Sequence, residues 1–295
     1  MPDAAADQRP PDMLVRFWGT RGSIACPGPD TTVYGGNTAC VEVRCGDRLI
    51  VLDAGSGLRP FGRLLSKASE PLDLDLLLSH CHVDHLIGLP FFQPAFNKTT
   101  SMRLWAGHLS PRDHLEGMLS QLMVPPLLPI TPKTFRADIT YRDFPAGDQL
   151  DLGGGVLVQT AALNHPGGAT GYRIEYHGCA VAYVTDHEHL PGGPDPALVA
   201  LVRDADLVIY DSTFTPAEYL NRVGWGHSTW EAGIALAERA GAKRLALFHH
   251  DPARDDEALD HIEREAAARL PGAFAAREGQ VLMFNAPRGD GDGIP

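Results

Sequence analysis

Residues 80–85 read His-Cys-His-Val-Asp-His and follow, after Ser79, on the mostly apolar run 74–78. That run has the length and character of a short buried strand, and the polar turn at its end carries three histidines and one aspartate. No other stretch constrains the fold as much, because donors this closely spaced converge only if a rigid strand end aims them. Imidazoles with a neighbouring carboxylate suit zinc, iron or manganese without any cysteine sulfur. Four donors in one turn exceed what a single tetrahedral ion usually takes from such a segment. The simplest arrangement is two ions sharing the turn, His80 and His82 serving one and Asp84 and His85 the other. The plain alternative is a solvated histidine-rich loop. It is disfavoured because an apolar strand leads straight into the cluster and further donors follow at later strand ends. Cys81, between the donors, reads as a small apolar residue.

Three later stretches supply those donors. Leu163-Asn164-His165-Pro166-Gly167-Gly168 puts a histidine after a β-rich run, and Ala182-Tyr183-Val184-Thr185-Asp186 closes an apolar strand with an aspartate, with His187 and His189 following as competitors. Leu245-Ala246-Leu247-Phe248-His249-His250 ends another strand in two histidines. Strand alternation sends His249 and His250 to opposite faces, so one of them reaches a shared centre. Asp53 also closes a strand, ahead of Ala-Gly-Ser-Gly, and reads as a ligand, a group that orients one, or a helix cap. Two polar loops follow, Tyr210-Asp211-Ser212-Thr213-Phe214 and Gly226-His227-Ser228-Thr229. The plain reading of His227 is capping of a helix start together with Ser228.

The spacing H-x-H-x-D-H after an apolar strand resembles the metallo-β-lactamase fold superfamily. The later motifs are similar to its phosphodiesterase branch, which includes tRNase Z, and the resemblance runs from about residue 14 to about residue 284. It implies an α+β chain folded as an αβ/βα sandwich, two mixed β-sheets flanked by helices. It also implies that His165 joins His80 and His82, that Asp186 bridges two ions, and that His249 partners Asp84 and His85. Asp53 then orients the metal-site turn from behind, His187 and His189 fall outside the ligand set, and His250 lies behind it or at the surface. The two polar loops resemble the H-E-A-T and H-S-T motifs of tRNase Z, whose carboxylate and histidine lie beside the metals and protonate the leaving group. Asp211 and His227 take those roles here, with Tyr210 where the family has histidine and the shorter Asp211 where it has glutamate.

The implied activity is hydrolysis of a phosphodiester at a dinuclear centre of two divalent ions, zinc by default and manganese or iron as alternatives. Gly-Thr-Arg-Gly-Ser-Ile, Gly-Gly-Asn-Thr, Asn-His-Pro-Gly-Gly and Tyr-Val-Thr-Asp resemble bacterial relatives regarded as cyclic-nucleotide phosphodiesterases. No inserted arm resembles the tRNA-clasping exosite of tRNase Z. The net charge of −12 disfavours a long nucleic acid as partner, which points to a small phosphodiester. Three alternatives stand beside this reading: a tRNase Z-like ribonuclease, a lactonase or thioesterase on the same metals, and a non-enzymatic metal-binding regulator.

Elsewhere the chain reads as one domain over residues 13–286, with disordered tails at 1–12 and 287–295. Strands are expected at 13–18, 39–45, 48–52, 102–106, 134–144, 156–162, 171–176, 179–185, 207–210, 244–248 and 280–284. Helices are expected at 58–67, 86–96, 111–123, 197–203, 229–240 and 255–270. The glycine-rich segment 19–36 reads as a surface loop, with an anion nest as its alternative. Residues 124–132 carry four prolines and cannot enter a sheet centre. They cover the site, mediate a homodimer, or serve as a rigid connector. Five cysteines without a C-x-x-C pair argue against a disulfide framework. With no signal-peptide core and no membrane-spanning run, the chain is expected in the cytoplasm.

Overall fold

A computed structural model describes residues 11–68, 70–109 and 113–286. Of the expected tails, residues 1–10 and 287–295 lie outside the described residues. Asp12 is joined to the body: its carbonyl accepts the N–H of Gly46 and its carboxylate that of Ala286.

Alternation of buried and open side chains becomes strand β1 (Met13–Gly19), followed by the hairpin β2 (Cys40–Cys45) and β3 (Arg48–Leu52). Then come β4 (Leu72–Leu78), β5 (Thr100–Ala106), β6 (Asp138–Asp143), β7 (Gln149–Gly153), β8 (Val156–Leu163), β9 (Ala169–Tyr176) and β10 (Cys179–Val184). Strands β11 (Leu207–Asp211), β12 (Leu245–Phe248), β13 (Ala273–Ala275) and β14 (Val281–Phe284) complete the set. The helices are α1 (Leu58–Leu65), α2 (Val83–Leu86), α3 (Leu115–Leu122), α4 (Pro196–Leu201), α5 (Pro216–Tyr219), α6 (Trp230–Ala240) and α7 (Asp256–Arg269).

The strands form two seven-stranded mixed sheets, ordered β14-β1-β2-β3-β4-β5-β6 and β13-β12-β11-β10-β9-β8-β7. Phe17, Val41 and Leu52 of the first pack against Val158, Tyr183 and Phe248 of the second in a core between the sheets. The odd residues Val181 and Tyr183 of β10 face that core, while Ala182 and Val184 face α4 and α6 on the outside. Helices α1 and α3 cover the outer face of the first sheet. Burying each such side chain contributes roughly 1.5–3 kcal/mol, so two-sided covering of both sheets is the arrangement these apolar strands demand. This is the αβ/βα sandwich expected.

In the first sheet β3, β4, β5 and β6 run parallel, and in the second β10, β11, β12 and β13 do. The carboxyl ends of β3 and β4 therefore meet those of β10, β11 and β12 along one edge of the sandwich. Asp53, Asp186 and His249 each stand one or two residues past a strand and adopt left-handed backbone, with φ of 60°, 54° and 60°. Non-glycine residues visit that region rarely and at a cost of about 1–3 kcal/mol, and such positions cluster where function fixes the geometry.

Several elements depart from expectation. The helix expected over 86–96 is instead α2 followed by 3₁₀ turns at Leu89–Phe91 and Gln93–Phe96. Pro90 and Pro94 each remove a backbone donor and clash with the preceding turn, which a continuous helix cannot absorb. Strand β7 was not anticipated, although Gln149–Gly153 alternates open and buried side chains ahead of three glycines. The strand expected from 134 starts at Asp138, because Pro132–Thr134 closes a 3₁₀ turn. In keeping with expectation, no strand occupies 124–132, where Leu127 is exposed. Helix α6 is capped by the Thr229 hydroxyl, which accepts the N–H of Ala232, and not by His227.

Candidate metal centre

The turn after β4 and the ends of β8, β10 and β12 bring seven expected donors together. Asp186 stands between them with its two carboxylate oxygens facing opposite ways. Oδ1 lies 3.7 Å from His80 Nε2 and 3.8 Å from His165 Nε2. Oδ2 lies 3.2 Å from His85 Nε2 and 3.4 Å from His249 Nε2. On the first side His82 Nδ1 is 3.2 Å from His165 Nε2. On the second, Asp84 Oδ2 is 3.2 Å from His85 Nε2 and 3.4 Å from His249 Nε2. Donor atoms of His80, His82 and His165 lie within 4.8 Å of one another, as do those of Asp84, His85 and His249.

Four of the five rings, those of His80, His85, His165 and His249, are turned by a partner on the other nitrogen. Asp53 Oδ2 accepts from His85 Nδ1 at 2.7 Å, from the Ser79 hydroxyl at 2.8 Å and from the Tyr183 hydroxyl at 2.7 Å. The Ser79 proton being spent on Asp53, its oxygen accepts from His80 Nδ1 at 3.0 Å. His165 Nδ1 donates to the Gly226 carbonyl at 2.8 Å. Thr213 Oγ1 lies 2.8 Å from Asp211 Oδ1 and 3.0 Å from His249 Nδ1. A hydroxyl has one proton; given to the carboxylate, the stronger acceptor, it leaves the oxygen to accept from His249. In His80, His85, His165 and His249 Nδ1 is thus a donor and Nε2 faces the centre. His80 Nε2 is buried without any hydrogen-bond partner, and burial holds that ring well below the usual imidazole range, so the lone pair stays free. A buried lone pair without a partner is costly unless something else takes it, and histidines oriented in this way from behind are the form that metal ions bind.

Beside the centre, His227 Nδ1 donates to Asp211 Oδ2 at 2.9 Å and lies 3.8 Å from Asp186 Oδ1. Burial disfavours a charged ring at His227, but the carboxylates of Asp211, Asp186 and Asp84 outweigh it and push the group up to about 9. Asp211 is fully buried, where desolvation opposes its charge; the His227 imidazolium holds its carboxyl below the ordinary range all the same. His227 keeps 13% of its side chain exposed, on the open side of the centre.

Every expected site residue is therefore present at one place, Asp53 included. The competitors are not: His187 Nδ1 accepts the N–H of Asn164, and His189 Nδ1 pairs with Ser228 Oγ at 2.9 Å. His250 is buried, not at the surface, and its Nε2 donates to the Ala276 carbonyl. Cys81 is only half-buried, and burial pushes its thiol up to about 12. The glycine-rich loop is not a plain surface loop: Ser23 N donates to Asp84 Oδ2 at 2.8 Å. A Cβ on Gly22 would sit 2.3 Å from the His249 ring. Sequence reasoning also missed Glu188, whose buried carboxylate accepts the N–H groups of Gly224 and Gly226 and so fixes the loop carrying His227. The signal available was a carboxylate between the two histidines that had been weighed as ligands.

Residues 48–250, more than half of the chain, match the family described as Beta-lactamase superfamily domain. The chain is 26% identical to the ribonuclease Z of Gemmatimonas aurantiaca over 320 aligned positions, covering 92% of this chain and 95% of that protein. A diphosphatase from the PhnP family superposes with a TM-score of 0.66 at 19% identity, over 92% of this chain and 97% of that one. Zinc-bound PqqB from Methylobacterium extorquens superposes with a TM-score of 0.68 at 18% identity, over 91% and 99%.

Proposed function

Since the chain belongs to the β-lactamase superfamily, we propose that it is a dinuclear metal-dependent hydrolase of phosphodiesters, acting on a small substrate such as a cyclic nucleotide. The observation that carries this reading is Asp186, whose two oxygens face two separate sets of imidazole nitrogens. His80, His82, His165 and Asp186 Oδ1 would hold one ion; Asp84, His85, His249 and Asp186 Oδ2 would hold the other. Nitrogen and carboxylate donors with no cysteine fit zinc, and also manganese or iron. Divalent ions at such a centre supply Lewis acidity toward phosphoryl oxygens and lower the pKa of water.

The chain's own residues supply the proton. Asp211 fixes His227 through Nδ1, so Nε2 carries the proton available to a departing oxygen. A ring raised to about 9 by its carboxylate neighbours is protonated at neutral pH, the form a general acid needs. Positive charge held at the centre would lower that value. Tyr210, in the position where the tRNase Z motif has histidine, bonds to Ser228 Oγ and takes no part in the Asp211–His227 pair.

A ribonuclease is the second reading, supported by similarity to a ribonuclease Z over nearly the whole chain. Protein of measured metal content, assayed on bis(p-nitrophenyl) phosphate, cyclic nucleotides, precursor tRNA and a lactone, separates these. Turnover of cyclic nucleotides with precursor tRNA left intact is the expected result. Cleavage of precursor tRNA alone favours the second reading, and lactone hydrolysis without phosphodiester turnover overturns both.

A further inference from the structure

Trp225 precedes His227 by two residues and leaves 61% of its surface open. Its backbone is nonetheless fixed on both sides. The buried carboxylate of Glu188 accepts the N–H of Gly224 at 2.7 Å and that of Gly226 at 2.8 Å. The N–H of Trp225 itself donates to the Arg222 carbonyl at 3.1 Å. A large indole is thus held out in water on a pinned backbone, forgoing the burial that its area would otherwise contribute. Phe214, which is buried, links it to the proposed acid: its ring centroid is 6.5 Å from that of Trp225 and 5.8 Å from that of His227.

Two more large apolar side chains stand open on loops that frame the centre. Val83, between the donors His82 and Asp84, is 57% exposed. Ile24, next to the Ser23 whose N–H is on Asp84, is 64% exposed. Open apolar side chains scattered singly carry no meaning, but these three each lie within two residues of a group that forms or touches the centre, and such patches mark where a ligand rests. Cations are scarce there. Residues 220–226 carry Arg222 alone, its guanidinium carbon 5.1 Å from the Phe214 ring centroid and 6.0 Å from that of Trp225. One arginine gives little hold on a run of phosphates. The loop suits a flat apolar ring attached to a single phosphate group.

The acid decides on which side that ring lies. His227 would protonate the departing oxygen, so the ribose that carries this oxygen lies on the His227 side and brings its base with it. Building on the phosphodiester reading, we propose that Trp225 is the platform on which the nucleobase of that ribose stacks. Every base has a π-face, so such a platform accepts any base but holds a purine more firmly than a pyrimidine. Trp225 is a specificity residue and takes no part in metal ligation or proton transfer.

The test is calorimetric titration of the metal-loaded protein with adenosine 5′-monophosphate, uridine 5′-monophosphate and ribose 5-phosphate, which share sugar and phosphate and differ in the base. The wild type should bind the adenosine nucleotide at least about fivefold more tightly than ribose 5-phosphate, the low end for a base stacked on an aromatic side chain, with the uridine nucleotide between them. Trp225→Leu keeps an apolar side chain and removes the platform. It should bring the three affinities together, with ribose 5-phosphate affinity and metal content unchanged, and Trp225→Phe should restore part of the order. A role confined to holding the loop would change all three affinities alike. Should Trp225→Leu lose metal or fold poorly, indole fluorescence of the wild type decides: both nucleotides should quench it and ribose 5-phosphate should not. Equal affinities or equal emission with all three ligands, no binding of either nucleotide, or an undiminished preference in Trp225→Leu would overturn the proposal. None of these ligands is a phosphodiester, so the result does not depend on turnover. Failure to hydrolyse any phosphodiester alongside an intact base preference would count against the phosphodiester reading and not against the platform.

Discussion

His227 and Asp186 approach within 3.8 Å, so the proposed acid sits against the carboxylate that joins the two donor sets. His227→Ala should leave folding and metal content intact while turnover falls about 10²–10⁴-fold. The loss should be smaller for a p-nitrophenolate leaving group, which departs without a proton, than for a ribose alkoxide. The pH dependence has a definite sign. An acid acts only when protonated, so activity falls as pH rises through the pKa of His227. The Asp211 carboxylate supports that protonation. Asp211→Asn should therefore move the alkaline limb of the kcat/KM profile to lower pH, with the limb lost in His227→Ala. An unmoved limb in Asp211→Asn, or equal losses on good and poor leaving groups in His227→Ala, would remove His227 from the acid role.

At the level of elements, the centre is made where parallel strands end. The donors of residues 80–85 were legible because they are neighbours in sequence and follow one apolar strand. His165, Asp186 and His249 were legible only through resemblance, since each is a lone donor at the end of its own strand. Alternation correctly separated His249 from His250, yet the turning of His249 into the centre owes as much to its left-handed backbone. Ser23, Thr213 and Glu188 were not legible, because their partners lie tens of residues away in sequence. The broken helix at 89–96 failed for a local reason that was present in the sequence, a second proline at Pro94. The loop held by Glu188 gives an element-scale prediction. A Cβ on Gly226 would meet Pro166 Cδ at 2.3 Å and His165 Nδ1 at 2.4 Å, whereas one on Gly224 meets nothing within 4 Å. Both glycines have positive φ, so either substitution by alanine costs about 1 kcal/mol in backbone strain. Gly226→Ala should in addition displace His165 and lower metal content, while Gly224→Ala keeps it. Equal metal retention, measured beside thermal denaturation, would contradict the proposed role of His165.

Taken whole, the molecule places two sheets face to face so that the carboxyl ends of β3 and β4 oppose those of β10, β11 and β12. The first sheet brings His80, His82, Asp84 and His85 with Asp53 behind them; the second brings His165, Asp186, His249 and the Asp211–His227 pair. Neither sheet holds a complete set of donors, so the centre is complete only where the two sheets are packed together. Metal should accordingly stabilise the folded chain, and its removal by a chelator should lower the melting temperature. The overall charge of −12 is compatible with this, because Asp84 and Asp186 aim their negative charge at the place where cations are expected. The most direct measurement is elemental analysis of the purified wild type beside Asp186→Ala. Two ions per chain in the wild type, with marked depletion in the variant, is the predicted result. Full metal occupancy in Asp186→Ala would contradict the bridging role on which the account rests.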